Sequence, residues 1–287
     1  MQQVHDVPAL RAVRNFWRFG RESVALVPTM GNLHEGHLTL VREARARADR
    51  VVVSIFVNPL QFDREDDLRA YPRTLEQDAQ RLQAEGVDVL FAPDESVIYP
   101  HGARNSTFVE VPELGTSLEG ASRPGHFRGV ATVVAKLFNL VQPDLAFFGE
   151  KDFQQLLVVR RLVQDLDFPV EIVSVATKRE ADGLAMSSRN GYLTPEERLR
   201  APALYRALLE VAGALKAGAD DYAALEARAL RRLAQGGLRA DYVTVRRRGD
   251  LGVPGADDRE LVVLGAAWLG KARLIDNVPV DRPASRG

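Results

Sequence analysis

The sequence predicts an α/β protein: a doubly wound, Rossmann-like parallel sheet followed by a second, smaller α+β C-terminal domain. Three observations lead to this fold class. Strand-like and helix-like segments alternate between residue 24 and about residue 175. Several strand-like segments are uninterrupted apolar runs, as parallel strands buried on both faces require. From about residue 177 the pattern changes, so we place the domains at residues 1–176 and 177–287.

The elements of the first domain follow one another regularly. The first strand is the apolar run Val24–Val27, and the apolar residues between Leu38 and Ala44 have helical spacing. The other predicted strands are 51–57, 87–91, 145–148 and 170–175, and the other predicted helices are 75–85, 130–141 and 153–166. In such a fold, ligands bind beyond the carboxyl ends of the strands.

The second domain is predicted from alanine- and leucine-rich helices followed by strands. Residues 195 to about 235 form two helices that are separated near Gly218. Strand-like segments then follow at 242–245, 261–264 and 273–275. This order of elements is typical of a small α+β domain.

The composition is that of a globular protein without a dedicated nucleic-acid surface. The 287 residues are 46% hydrophobic and 27% charged, with a net charge of −1. The arginine-rich segments 42–47 and 246–248 are therefore interpreted as solvated faces. The absence of cysteine excludes disulfides and thiolate chemistry, and we find neither a signal peptide nor a long apolar run. These features predict a cytoplasmic protein that binds neither nucleic acid nor membrane.

The segment Pro28–His37, with the sequence PTMGNLHEGH, carries the strongest functional signal. Its two glycines, placed between a strand and a helix, let the backbone approach a ligand, and the helix N-terminus attracts phosphate. His34 and His37 are three residues apart, so both imidazoles can face one anion. We therefore predict a nucleotide phosphate site. A tight turn with two surface histidines is one alternative, and a zinc site, which would lack a third ligand, is another.

Polar side chains also follow other predicted strands. Asn58 and Gln61 can bind hydroxyls and carboxylates without adding charge. Gly149–Asp152 and the glutamines at 154–155 follow a later strand. Lys151 stands at a helix start, where a cation gains nothing from the helix dipole, so its position suits a phosphate.

Two loops carry weaker signals. The loop 178–190 contains two hydroxyls and Arg189, which suit a polyphosphate, although an ordinary loop has a similar composition. The segment Arg123–Gly129 is basic and precedes a helix, and it either closes over an anion or forms a turn. Neither a Ser–His–Asp triad nor a cysteine nucleophile is suggested, so catalysis would rest on positioning and charge stabilisation.

The motifs His34–His37 and Met186–Arg189 together resemble the two signatures of the nucleotidyltransferase superfamily, which includes class I aminoacyl-tRNA synthetases. Six segments, in order along most of the chain, are similar to the pantothenate synthetase (pantoate–β-alanine ligase) family: 28–37, 56–62, 71–73, 123–127, 149–152 and 182–190.

The resemblance implies a two-step, AMP-forming reaction. The carboxylate of D-pantoate attacks the α-phosphorus of ATP, and β-alanine then displaces AMP from the pantoyl adenylate. The resemblance implies His37, His34 and Lys151 as catalytic residues, with His37 in the acid role. It implies ATP binding by Met30, Gly31, Asn32, Leu33, His34, Glu35, Gly36, His37, Gly149, Glu150, Lys151, Asp152, Lys178, Met186, Ser187, Ser188 and Arg189. It implies pantoate or β-alanine binding by Gln61, Gln155, Asn58 and Met30, and the second domain as a lid that carries the Met186–Arg189 loop.

Two positions depart from the family pattern. Lys178 replaces a usually apolar residue at a backbone contact with adenine, so its side chain must point outward. The acidic cluster that binds magnesium in some relatives is reduced to Glu76-Gln77-Asp78. We therefore expect Mg²⁺ to arrive with ATP, name no protein ligand for a metal, and expect no tightly bound organic cofactor. Relatives are typically homodimers, and we expect the same here.

Three alternatives share parts of this motif set. A nucleotidyltransferase that retains the nucleotide on its product would use the same histidines. A synthetase-like domain that acts on tRNA is disfavoured by the near-neutral charge. A non-catalytic nucleotide-sensing module would bind ATP without releasing AMP in response to β-alanine.

Overall fold

The computed structural model describes residues 1–282, which fold into two compact units. The first unit comprises residues 1–150 and 154–176. The second unit comprises residues 151–153 together with the chain from residue 177. The sequence did not predict that residues 151–153 belong with the C-terminal part of the chain.

The first unit contains a six-stranded, wholly parallel sheet. Its strands are β1 (Gln2–Val4), β2 (Val24–Thr29), β3 (Arg50–Ile55), β4 (Val89–Phe91), β5 (Leu145–Gly149) and β6 (Glu171–Val175). The order β1-β4-β3-β2-β5-β6 confirms the predicted doubly wound sheet. Strand β1 was not predicted from the sequence, because it is three residues long and two of them are exposed glutamines.

Helices connect these strands. They are α1 (Val7–Phe19), α2 (Glu35–Arg47), α3 (Glu65–Ala70), α4 (Leu75–Ala84), α5 (Glu95–Ile98), α6 (Glu119–Ser122), α7 (His126–Val141) and α8 (Phe153–Asp165). Helix α7 begins four residues before its predicted start, and eleven of its 16 residues are buried.

The strand order reverses beside β2, which lies between β3 and β5. Val24–Val27 are completely buried, as the continuous apolar run predicted. In doubly wound sheets the ligand crevice lies at this reversal, beyond the carboxyl ends of the two strands. Here those ends lead into Met30 from β2 and into Glu150 from β5.

The second unit is an α+β arrangement, as predicted. It contains α9 (Pro195–Arg200), α10 (Ala203–Lys216), α11 (Tyr222–Gln235) and the antiparallel strands β7 (Arg239–Arg247), β8 (Glu260–Leu269) and β9 (Ala272–Asp281), in the order β7-β8-β9. Two helices were predicted where the structure has three, because Pro202 has no N–H to continue α9 into α10. The core contains completely buried leucine and valine side chains, among them Leu208, Leu215 and Val263.

Within residues 1–282, no helix combines the length and the apolar character that crossing a membrane requires.

Candidate active site

The turn after β2 is held by one buried carboxylate. Gly31 and Asn32 both adopt positive φ, at 80° and 52°. The N–H groups of Asn32 and Leu33 donate to Asp78 Oδ2 and Oδ1, both at 2.8 Å. Thr74 Oγ1 donates to Asp78 Oδ2 at 3.0 Å, and Asp78 is 1% exposed. A Cβ at Gly31 would lie 3.2 Å from the same carboxylate, so the left-handed turn and the close approach both favour glycine.

The two histidines of the turn have a fixed tautomer. His34 is the N-cap of α2, and its Nδ1 accepts from the Gly36 N–H at 3.1 Å. His37 Nδ1 accepts from the His34 N–H at 3.3 Å. Because both Nδ1 atoms accept, the proton of each neutral ring lies on Nε2. The ring centroids are 4.1 Å apart, so the turn places two N–H donors side by side.

The Glu35 carboxylate pairs with Arg42 on the same helix. Arg42 Nε also donates to Glu85 Oε2 at 2.9 Å, and the two carboxylates raise the pKa of Arg42. The site residues Met30, Asn32, Gly36 and Leu33 lie in or beside the turn, and of these only Leu33 is completely enclosed, at 2% exposure.

Asn58 and Gln61 lie in a short 3-10 turn, Pro59–Gln61, after β3. Asn58 is completely buried, and its Nδ2 donates to Gln61 Oε1 at 2.9 Å and to the Gly129 carbonyl at 3.0 Å. Its Oδ1 accepts from the Tyr99 hydroxyl at 2.8 Å and from the Leu60 N–H at 3.3 Å. All four hydrogen-bonding positions of the Asn58 amide are therefore occupied by the protein.

The segment Arg123–Gly129 packs against this turn. Arg123 Nη2 and His126 Nδ1 both donate to the Gln61 carbonyl at 2.9 Å. A Cβ at Gly129 would lie 2.3 Å from the Leu60 carbonyl oxygen, so the close approach of α7 to the turn requires glycine. The sequence left open whether this segment closes over an anion or forms a turn. In the structure it fixes the backbone of Gln61.

The two adjacent glutamines of α8 have different surroundings. Gln154 is 3% exposed, and its Oε1 accepts from the Glu119 N–H at 3.1 Å. Its Nε2 donates to the carbonyls of Leu114 and Ser117 at 2.6 and 2.9 Å. Gln155 is partly exposed. Of the pair, Gln155 has the more exposed side chain, and it is the one that the family resemblance implies as a substrate-binding residue.

Lys151 belongs to the second unit. Asn277 Nδ2, on β9, donates to the Lys151 carbonyl at 3.1 Å. The Lys151 side chain is 17% exposed, and its Nζ lies 3.7 Å from Asp152 Oδ1. Asp152 is half exposed. The backbone of Lys151 is thus tied to β9, while its ammonium has one distant charged partner among residues 1–282.

The 178–190 loop is held at its base by Arg179. This guanidinium donates to Asp276 Oδ2 and Oδ1 at 2.7 and 2.9 Å and to the Gly183 carbonyl at 3.1 Å. It also stacks over the Tyr205 ring, 3.6 Å from the centroid. The Lys178 carbonyl accepts from the Met186 N–H at 2.9 Å, and Lys178 is exposed, as its predicted outward orientation requires.

The end of the 178–190 loop has a simpler structure. Ser187 Oγ accepts from the Arg189 N–H at 3.2 Å and starts the 3-10 turn Ser188–Tyr192. Met186, Ser187, Ser188 and Arg189 are all partly exposed. Nearer the base, hydrogen bonds from Arg198 lower the pKa of Asp182. The loop therefore combines a fixed base with polar groups that reach the surface.

The structure contains no group of three or more histidine, aspartate or glutamate side chains that could hold a metal ion within residues 1–282. The Asp78 carboxylate, part of the reduced acidic cluster, is already used by two backbone N–H groups and a hydroxyl.

Three residues that hold the candidate site residues in place were not predicted from the sequence: Asp78, Tyr99 and Arg179. Asp78 left a usable signal, because Leu75, Asp78, Ala79 and Leu82 have the i, i+3, i+4, i+7 spacing of one helix face. A carboxylate on an otherwise apolar face indicates a buried partner. Tyr99 and Arg179 left no comparable pattern, because their partners are distant in sequence.

Comparison with known proteins gives consistent results. The family model described as pantoate-beta-alanine ligase matches residues 2–279. A pantothenate synthetase from Thioalkalivibrio sulfidiphilus is 63% identical over 285 residues, which cover 99% of this chain and all of the relative. A pantothenate synthetase from Methylococcus capsulatus is 56% identical and covers both chains completely.

Two solved structures share the whole fold. The crystal structure of pantothenate synthetase from Thermus thermophilus has a TM-score of 0.89 at 50% identity, covering 97% of this chain and 99% of the other. The pantoate-beta-alanine ligase from Francisella tularensis, complexed with beta-gamma ATP and beta-alanine, has a TM-score of 0.82 at 35% identity, covering 97% of each chain.

Proposed function

The chain belongs to the pantoate–beta-alanine ligase family, and we propose that it joins D-pantoate to β-alanine through a pantoyl adenylate. In the first step a pantoate carboxylate oxygen bonds to the α-phosphorus of ATP, and the bond from that phosphorus to the β-phosphate oxygen breaks. In the second step the amine of β-alanine attacks the acyl carbon, loses a proton, and displaces AMP.

The observation that carries this proposal is the pair of histidines after β2. Both use Nδ1 to accept backbone N–H groups, so both present Nε2–H as the donor. Donors that the protein already holds in place stabilise the negative charge that develops in the transition state, because they do not have to reorganise during the reaction. His34 and His37 thus bind the phosphates of ATP, with His37 supporting the departure of pyrophosphate.

The remaining ATP contacts follow the order of the motifs. Lys151 and Arg189 supply positive charge to the phosphates, and Ser187 and Ser188 supply hydroxyl donors. Gly149 and Asp152 bind the ribose, and the backbone at Lys178 contacts adenine. The other proposed ATP contacts are Met30, Gly31, Asn32, Leu33, Glu35, Gly36, Glu150 and Met186.

Pantoate offers a carboxylate and two hydroxyls, which carboxamides recognise without adding charge. We assign this recognition to Gln61 and Gln155, with Met30 beside the reacting groups. Asn58 contributes to the same subsite. Mg²⁺ enters bound to the ATP phosphates, which supply the oxygen ligands that it prefers. The enzyme acts in the cytoplasm as a homodimer, with the C-terminal domain, residues 177–287, as its lid.

An omission assay tests the proposed reaction. The purified chain is incubated with MgATP, D-pantoate and β-alanine, with each substrate omitted in turn, and the products are separated by chromatography. The proposal requires AMP and pantothenate in equal amounts, with sustained AMP release only when β-alanine is present. A stable nucleotidyl product would assign the chain to nucleotidyl transfer, and ATP binding without turnover would make it a sensing module.

A further inference from the structure

The Asn58 amide has only one orientation that its neighbours allow. The Gly129 carbonyl can only accept, so the Asn58 atom at 3.0 Å must be the nitrogen. The Leu60 N–H can only donate, so the atom at 3.3 Å must be the oxygen. The nitrogen that faces the Gly129 carbonyl also faces Gln61, and it must find an acceptor there.

This orientation determines that of Gln61. The Gln61 atom that lies 2.9 Å from Asn58 Nδ2 must be Oε1. The Gln61 amide group therefore turns its Nε2 away from Asn58, and this nitrogen donates no hydrogen bond to any of residues 1–282. Gln61 is thus presented to a ligand as a donor of two N–H groups, which suits a carboxylate or hydroxyl oxygen.

Tyr99 completes the chain of hydrogen bonds from the buried side. Its hydroxyl donates to Asn58 Oδ1 at 2.8 Å, the shortest bond that this amide makes. Tyr99 is 1% exposed, and burial raises its pKa, so the hydroxyl keeps its proton. The Phe56 ring, with its centroid 6.0 Å away, holds the tyrosine ring in place.

The backbone of Gln61 is held independently. His126 Nδ1 must donate to the Gln61 carbonyl, since that oxygen can only accept, and His126 Nε2 then accepts from Arg123 Nη1 at 3.3 Å. The Arg123 Nη2 bond to the same carbonyl adds a second restraint. The backbone and the side-chain amide of Gln61 are thus fixed by different groups.

We propose that Tyr99 is a positioning residue that acts through Asn58 to hold Gln61 as a hydrogen-bond donor toward pantoate. Asn58 itself acts on the substrate through Gln61 and does not touch it. This inference rests on the proposed function, because pantoate is assigned to Gln61 there. It adds Tyr99 to the residues assigned there, and it gives the buried amide of Asn58 an indirect role, which is to set which end of Gln61 the substrate meets.

A double-mutant cycle tests the proposal. Tyr99→Phe keeps the ring and removes the hydroxyl, and we expect the KM for pantoate to rise about tenfold, the loss that corresponds to one hydrogen bond. The KM for ATP should stay within twofold. In a Gln61→Ala background, Tyr99→Phe should change the pantoate KM by less than twofold, because its route to the substrate is absent. A tenfold rise in both backgrounds, or an equal rise in the KM for ATP, would overturn the proposal.

Tyr222→Phe is the matched control, since it also removes a tyrosine hydroxyl with one side-chain hydrogen bond, which that hydroxyl accepts from Arg282 Nη1 at 2.7 Å. It should leave both KM values unchanged.

A substrate-free measurement separates this inference from the proposed function. Hydrogen exchange of the Asn58 side-chain amide, followed by NMR with selective ¹⁵N labelling, should be slow in the wild type and at least tenfold faster in Tyr99→Phe. Equal exchange in the two proteins would contradict the relay even if pantothenate is formed.

Discussion

The carboxamide cluster (Asn58, Gln61, Tyr99 and Gly129) and the 178–190 loop present polar groups in opposite ways. In the cluster, the buried amide of Asn58 is fully hydrogen-bonded before any ligand arrives. In the 178–190 loop, Arg179 fixes the base, but Met186–Arg189 remain partly exposed. The first region controls the geometry of one donor, and the second supplies charge and hydroxyls near the surface.

This difference indicates two kinds of functional effect. A change in the carboxamide cluster disturbs packing and hydrogen bonds together, so stability and pantoate affinity should fall in parallel. A change at a partly exposed cation such as Lys151 removes charge stabilisation with little loss of packing, so kcat should fall while stability is retained.

The largest effect is expected for Lys151→Ala. Removing a cation that opposes charge at the reacting phosphorus should lower the rate of adenylation by about 10²- to 10³-fold. The temperature of unfolding should change little, because Nζ lies 3.7 Å from a half-exposed Asp152. Single-turnover kinetics and calorimetry give the two quantities. Lys216→Ala, an exposed lysine at the end of α10, is the control. Near-normal adenylation would remove Lys151 from the mechanism.

His37→Ala should cause a loss of adenylation similar to that of Lys151→Ala, but at some cost in stability, because His37 also accepts the His34 N–H. His37→Asn separates the two roles, since its side-chain oxygen can still accept that N–H. We expect His37→Asn to recover stability without recovering the rate. Recovery of both would show that His37 acts only as a cap.

Gly129→Ala should damage the carboxamide cluster directly. The new Cβ would lie 2.3 Å from the Leu60 carbonyl, so the Asn58–Gln61 turn must move. We expect the free energy of unfolding to fall by about 1–3 kcal/mol and the KM for pantoate to rise more than that for ATP. Urea unfolding and steady-state kinetics measure both. Gly213→Ala on α10, where a Cβ meets nothing within 4 Å, is the control and should not destabilise the protein.

Asp78→Asn should affect the binding of ATP. An amide can accept at one end only, so one of the N–H groups of Asn32 and Leu33 loses its acceptor. We expect a loss of about 1–3 kcal/mol in stability and a higher KM for ATP, with the KM for pantoate unchanged. Glu76→Gln, on the same helix but exposed, is the control. A rise in the pantoate KM alone would contradict our account of the turn.

The smallest effect concerns the buried hydroxyl of Tyr99 at high pH. Burial raises its pKa in the folded state, so above about pH 10 the unfolded chain releases a proton that the folded chain retains. The contribution of the protonated Tyr99 hydroxyl to the free energy of unfolding is complete below about pH 10. It declines as the pH rises, by up to about 1.4 kcal/mol per pH unit. Denaturant unfolding between pH 9 and 11 should show a shallower decline for Tyr99→Phe. Identical slopes would mean that Tyr99 ionises as freely as in the unfolded chain.

The sheet could be predicted from the sequence because parallel strands buried on both faces leave long apolar runs, such as Val24–Val27. Strand β1 could not, since a three-residue edge strand with two glutamines has no such run. The proposed ligand-binding motifs could be predicted because glycines, histidines and carboxamides cluster in sequence after strands. Their supports were not, because Tyr99 is 41 residues from Asn58 and Asp276 is 97 residues from Arg179.

One measurement tests the central claim, adenylation of pantoate by attack of its carboxylate on ATP, most directly. D-Pantoate labelled with ¹⁸O in its carboxylate is converted with MgATP and β-alanine, and the AMP is analysed by mass spectrometry. We predict one ¹⁸O atom in each AMP, because the oxygen that attacks the α-phosphorus leaves with AMP when the amide forms. Unlabelled AMP, or label in the pyrophosphate, would contradict the account.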